Sequence, residues 1–235
     1  MTLNPDVCRL LLFLRYPQPG HTKTRLIPAL GADGAARLQR QMSEYLLGQI
    51  CRPDWSVEIY FTGGSLAEMQ AWLGKRLVYR PQIEGDLGAR LCAGFRASFR
   101  AEDRQSGCAA PSSQPRIRRE GVSSRRVVAI GSDCPDVSAV HIRQAFRALA
   151  HKDVVLGPAQ DGGYYLIGLR HLQVGLFQNI DWSTPVVFQQ TYEKVLQSEL
   201  SVSTLPVLSD IDRPADLAIW ERIQRLSVKA AAFHL

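Results

Sequence analysis

Leu10-Leu11-Leu12-Phe13-Leu14-Arg15-Tyr16-Pro17-Gln18-Pro19-Gly20-His21-Thr22-Lys23-Thr24-Arg25 is the stretch that decides the fold. Its first five residues form a continuous apolar run, the pattern of a strand buried on both faces of a parallel sheet. Pro17, Pro19 and Gly20 then force a turn, so the cations that follow lie beyond the carboxyl end of the strand. Gly20 lets the backbone approach a ligand closely, Lys23 supplies a mobile point charge, and Arg25 can grip two oxygens as a fork. Two readings stand: a loop for a phosphate-rich ligand, or an ordinary basic helix entry. The GxxxxGK[ST] spacing of a P-loop is absent.

The same grammar continues along the chain. Apolar strands are expected at Val57–Phe61, Leu77–Tyr79, Val127–Ile130, Val154–Leu156, Tyr164–Leu169 and Val202–Leu205. Between them, helical patterns cover Ala35 to about Gln49, Leu66–Leu73, a stretch carrying Leu91, Phe95 and Phe99, Ala139–Ala150, and about Val186 to Leu196. A last helix runs from Pro214 to about Leu226, with the proline in a first turn that needs no amide donor. Strands alternating with helices predict an α/β fold, a three-layer α/β/α sandwich on a mostly parallel central sheet. Residues 1–235 read as one domain with a flexible insertion at 105–124, rich in Ser, Pro, Gly, Ala and Arg and without any period.

Composition narrows the function classes. With 46% apolar and 21% charged residues, the chain is neither collagen-like, wholly disordered nor a small disulfide scaffold. Seven arginines against three acids between Arg100 and Arg126 carry +4 of the net +6, so the basic balance is local. A nucleic-acid surface is not expected, because Phe99 is the only aromatic near that segment. The five cysteines form no CxxC pair and suggest reduced thiols. The run Leu10–Leu14 is too short for a signal or membrane span, so no integral membrane segment and a cytoplasmic location are expected. Nothing in the sequence sets an oligomeric state.

Three further polar motifs fall at strand ends. Gly131-Ser132-Asp133-Cys134-Pro135-Asp136 ends the Val127–Ile130 strand, and a hard divalent cation such as Mg²⁺ or Mn²⁺ would take the Asp133 carboxylate. Asp136 reads either as a second ligand or as a cap near Ser138. In Gly157-Pro158-Ala159-Gln160-Asp161-Gly162-Gly163-Tyr164-Tyr165, Asp161 is either a catalytic base facing an acceptor or part of a tight turn. Trp182, in Asp181-Trp182-Ser183-Thr184-Pro185, lines an acceptor pocket or packs in the core. Asp212, in Asp210-Ile211-Asp212-Arg213-Pro214, is a second metal oxygen or a helix N-cap.

These motifs, with Gly85-Asp86-Leu87-Gly88, resemble in order those of the bacterial DUF2064 family, also known as radical-SAM/selenodomain-associated transferases and linked to arsenosugar biosynthesis. The likeness runs from about Leu10 to Trp220, although Arg15 stands where the family usually has Lys, and Thr22 where it has a small aliphatic residue. It implies a GT-A-like nucleotide-diphospho-sugar transferase fold. By that resemblance Gly20, Lys23 and Arg25 belong to a nucleotide-phosphate loop, Asp133 is the metal aspartate, and Asp161 faces the acceptor.

The reading that follows is a metal-assisted glycosyltransferase with a nucleotide-sugar donor and a small-molecule acceptor. Its expected catalytic residues are Asp161 and Lys23; Arg15, Gly20, Lys23, Arg25 and Asp86 serve the nucleotide phosphates. Asp133 and Asp212 hold the metal, while Gly162, Gly163, Tyr164 and Trp182 form the acceptor side. The alternative is a nucleotidyltransferase that uses a nucleoside triphosphate in the same cleft and releases pyrophosphate. Either reaction requires Lys23 and Asp133 to share one crevice.

Overall fold

A computed structural model describes residues 3–4, 7–105 and 125–232. Its strands are β1 (Cys8–Arg15), β2 (Ser56–Thr62), β3 (Val78–Pro81), β4 (Arg126–Gly131), β5 (Val154–Pro158), β6 (Tyr164–Leu169) and β7 (Val202–Thr204). The helices are α1 (Ile27–Ile50), α2 (Leu66–Leu73), α3 (Leu87–Gln105), α4 (Ala139–Ala148), α5 (Val187–Gln197) and α6 (Leu217–Ala232). Among the described residues the strands make one sheet in the order β3-β2-β1-β4-β6-β5-β7. Each of the expected strands is present.

The continuous apolar run of β1 divides into two interleaved sets, as the pleat demands. Leu10, Leu12 and Leu14 join a core with Leu46, Leu47 and Ile50 of α1, Met69 of α2, and Ile142 and Phe146 of α4. Leu11 and Phe13 face the other way, toward Leu91 and Phe95 of α3 and Val195 of α5. Helices therefore cover both faces, and the fold is a three-layer α/β/α sandwich. A further cluster joins α1 to α6 through Leu38, Met42, Trp220 and Ile223.

β1 pairs in parallel with both β2 and β4, with Phe13 opposite Gly131. The strand order reverses direction between these two, so the crossovers leave β1 and β4 on diverging paths. Open sheets of this kind bind their ligands at such a switch point, at the carboxyl ends of the strands, and the loops after Arg15 and Gly131 flank it.

β6 departs from the parallel rule by pairing antiparallel with both β4 and β5. Its connection from β5 is a tight turn over 159–163, too short for the crossover that a parallel pair needs. Helix α1 starts earlier than its pattern predicts: a first turn over Ile27–Leu30 precedes a break at Gly31, whose φ of 70° interrupts the helix. The insertion expected at 105–124 lies outside the described residues apart from Gln105, the last residue of α3.

The stripe Leu91, Phe95, Phe99 holds α3 to the sheet. Phe95 is fully buried and stacks on Phe177 with ring centroids 5.6 Å apart. Phe95→Ala removes an aromatic that the surrounding core cannot collapse to replace, and about 3–5 kcal/mol of stability is expected to be lost. Urea denaturation measures it; a loss below about 1 kcal/mol contradicts the packing described.

Candidate functional site

The loop after β1 is pinned before it reaches its cations. Thr22 is buried and donates its hydroxyl to the Tyr16 carbonyl at 3.0 Å, while Gly20 takes a φ of 78° that a side chain would oppose. Lys23 itself adopts a left-handed backbone, φ 50° and ψ 45°, rare for a residue with a Cβ. That conformation turns its side chain inward.

The Lys23 ammonium, only 5% exposed as a side chain, reaches three oxygens. It lies 2.7 Å from Asp133 Oδ1 and donates to Asp212 Oδ1 at 2.7 Å and to the Ile211 carbonyl at 2.6 Å. Burial works against the charge, but Asp133 and then Asp212 outweigh it, and the lysine pKa lies above its ordinary value. The two carboxylates remain half exposed, at 50% and 38%, so each keeps a face toward solvent. Arg25 approaches Asp212 Oδ2 at 3.9 Å from the exposed rim.

Lys23 and Asp133 thus meet in one crevice, but in direct contact, with no gap between them for a cation and a diphosphate. A backbone bond from Ile211 N–H to the Asp133 carbonyl, 2.9 Å, docks the Asp210–Asp212 segment onto the end of β4. Asp212 does not cap the last helix: Asp216 does, accepting from the amides of Asp212 and Arg213 at 3.0 and 2.7 Å. Asp136 turns away to Arg222 of α6, 2.6 Å. Asp210 escapes motif reasoning as a site residue. Burial, with the Asp161 and Asp212 charges adding to it, pushes its carboxyl up to about 6. Its signal in the sequence is its place two residues before Asp212 at a strand–helix junction.

The remaining candidate residues make local contacts of their own. Arg15, exposed at the end of β1, donates to the His21 carbonyl at 3.4 Å. Asp86 accepts from the Ala89 amide at 2.7 Å and so caps the first turn of α3. Asp161 accepts from the Gly163 amide at 2.8 Å, the geometry of an Asx turn. Gly88 lies against the Trp182 indole so closely that a Cβ would reach within 2.5 Å of its Nε1. Trp182 also meets Tyr164 edge to face at 6.3 Å. The Tyr164 hydroxyl is buried beside Thr191, and burial pushes its pKa up. Cys134 is buried and its thiol is pushed up to about 12, first by desolvation and then by Asp136, so it stays protonated and unreactive.

The donor set suits a hard divalent cation. Mg²⁺ keeps several waters and takes one or two carboxylates together with substrate phosphates. Asp133 and Asp212 are two carboxylates of one crevice, each partly open to solvent. Among the described residues no group of three or more His, Cys, Asp or Glu forms an all-protein metal cage. Phosphate oxygens and water would have to complete the shell.

The fold and crevice define the class. The architecture is that of GT-A-like nucleotidyl and sugar transferases. A protein from Desulfovibrio desulfuricans G20 assigned as a nucleotide-diphospho-sugar transferase superposes with a TM-score of 0.74 and 33% identity, over 88% of this chain and 82% of that one. A nucleotidyl transferase from Methanothermobacter shares the fold at a TM-score of 0.58 and 14% identity, over 94% and 99% of the two chains. So does the 4-diphosphocytidyl-2C-methyl-D-erythritol synthase of Anaerococcus prevotii, at 0.56 and 8%, over 93% and 96%. Residues 46–184 match the family described as "Uncharacterized protein conserved in bacteria (DUF2064)", and the chain belongs to that family. No curated protein matches it in sequence.

Gly162 locks the turn after β5 against the loop carrying Trp182. Its φ is 88°, a Cβ would overlap the Pro185 carbonyl, and its own carbonyl accepts from the Phe188 amide at 2.9 Å. Gly162→Ala is therefore expected to cost about 2 kcal/mol or more in urea denaturation. An unchanged midpoint contradicts this contact.

Proposed function

We propose that this chain is a nucleotidyltransferase: it joins the nucleotidyl group of a nucleoside triphosphate to a phosphorylated small molecule, such as a sugar phosphate, and releases pyrophosphate. The observation that carries this reading is the meeting of Lys23, Asp133 and Asp212 at the β1/β4 switch point, under a loop that also presents Arg15 and Arg25. Positive charge on one wall and two carboxylates on the other suit a polyphosphate bound together with a cation.

In the proposed reaction a phosphate oxygen attacks the α-phosphorus, and the bond to the β-phosphate oxygen breaks. Such a nucleophile is already ionised near neutral pH, so no protein base is needed. The Asp161 carboxylate, turned onto the Gly163 amide, fits a reaction without one. Gly20 allows the backbone to approach the phosphates, and Arg15 and Arg25 supply charge from the exposed rim. With no substrate bound, Lys23 fixes the relative position of Asp133 and Asp212. Those two carboxylates would hold Mg²⁺ or Mn²⁺, which when bound offsets the charge that develops on the leaving pyrophosphate. Asp86 acts by capping α3 and so shaping the loop beside the nucleotide.

The second reading, glycosyl transfer from a nucleotide-sugar donor, draws on the name carried by the 33% identical Desulfovibrio protein. Asp161 would then serve as the base, with Gly162, Gly163, Tyr164 and Trp182 around the acceptor. The described cysteines are free thiols and no described helix is long and apolar enough to cross a membrane. Both features suit the reducing cytoplasm, where nucleotide substrates are made.

The products separate the two reactions. With Mg²⁺, nucleoside triphosphates and a panel of sugar phosphates, pyrophosphate release is expected, and Asp133→Asn should lower it about 100-fold or more in protein that remains folded. Nucleoside diphosphate release from nucleotide sugars, without pyrophosphate, replaces this reading by the second. Full activity of Asp133→Asn overturns the role of that carboxylate in both.

A further inference from the structure

The Lys23 side chain does something more specific than add positive charge to a phosphate loop. Its ammonium has three hydrogens and three oxygen partners at 2.6–2.7 Å, two from carboxylates and one from a backbone carbonyl. That is a compact, desolvated shell of hard oxygens around a single positive charge, the same chemistry that receives a divalent cation. The side chain is 5% exposed and its backbone is held left-handed, so the arrangement is built and not a passing surface contact. Arg25, which is 64% exposed and 3.9 Å from Asp212, takes no such place.

We propose that the Lys23 ammonium is a built-in competitor of the divalent cation: it holds Asp133 and Asp212 when no substrate is bound, so a bare cation must displace it to bind, and metal enters readily once substrate phosphates draw Lys23 toward themselves. This rests on the reading that the two carboxylates are the metal ligands. With Lys23 in place the two carboxylates carry a net charge of −1 instead of −2, and a divalent cation arriving at their outer oxygens meets an ammonium a few ångströms away. Without the ammonium, that repulsion is gone. The consequence is a substrate order: nucleotide with its cation binds well, whereas the bare cation binds weakly. Lys23 is on this account a positioning and gating residue whose effect is read in metal affinity, not only in turnover.

The test is Mn²⁺ binding in the absence of nucleotide, followed by the electron paramagnetic resonance signal of free Mn²⁺, for the wild-type chain, Lys23→Gln and Asp133→Asn. Glutamine keeps a hydrogen-bond donor without the charge. Even with water-like screening, repulsion between a single and a double charge a few ångströms apart is worth about tenfold or more in affinity. Lys23→Gln should therefore bind Mn²⁺ at least about tenfold more tightly than the wild type, and Asp133→Asn more weakly. A second readout needs no variant at this lysine. In the wild-type chain, acetic anhydride should label Lys23 slowly, and saturating Mn²⁺ should speed that labelling as the ammonium is displaced. Equal or weaker Mn²⁺ binding by a folded Lys23→Gln, with binding still lost in Asp133→Asn, overturns the competition alone. Labelling of Lys23 that Mn²⁺ leaves unchanged or slows does the same. Absence of Mn²⁺ binding from all three proteins overturns the competition together with the metal reading on which it stands.

Discussion

A buried ammonium is tolerable only where fixed oxygens replace its water, and this constraint organises the crevice. Lys23 comes from the first loop of the chain, and Asp212 and the Ile211 carbonyl come from its last strand–helix junction, 189 and 188 positions away. Asp133 arrives from the central strand β4. Three distant segments are thereby drawn to one point, and each depends on the others. Removing the lysine would leave two carboxylates facing each other; removing either acid would leave a desolvated cation short of a partner. The cluster is an electrostatic knot that ties these three segments together.

Its location follows from the sheet. β1 is flanked by β2 and β4, and the helices that return from these strands lie apart at their carboxyl ends. On these strands the core cluster reaches Leu14 of β1 and Ile130 of β4. The chain leaves both strands through short polar loops, and the polar groups have nowhere else to converge. The antiparallel β6 serves the same geometry from the other side. Its tight connection from β5 brings Asp161 and Gly162 back over the crevice, where the Asp181–Pro185 loop closes on them.

Much of this could be read from local pattern. A strand buried on both faces cannot alternate, so Leu10–Leu14 and Val127–Ile130 declare themselves as unbroken apolar runs, and the polar residue at the end of each declares the cleft edge. Local pattern also says where a carboxylate is in sequence but not what it touches. Asp86 and Asp161 each take an amide of their own turn or helix, contacts set by backbone dihedrals that the residue types alone do not specify. The partnership of Lys23 with Asp212 is a long-range contact with no spacing to reveal it, and the third oxygen, the Ile211 carbonyl, has no side-chain signature at all. The apolar run of β6 fits a parallel or an antiparallel neighbour, and the length of the preceding turn decides between them.

In the proposed reaction substrate phosphates and a cation gather over the Lys23–Asp133–Asp212 cluster. A crystal of this chain soaked with a nucleoside triphosphate and Mn²⁺, with data collected at the manganese absorption edge, tests it most directly. An anomalous peak is expected against the Asp133 carboxylate, with the triphosphate lying over the loop from Gly20 to Arg25. A triphosphate bound elsewhere on the sheet, with Lys23 still seated between its two carboxylates, would contradict it.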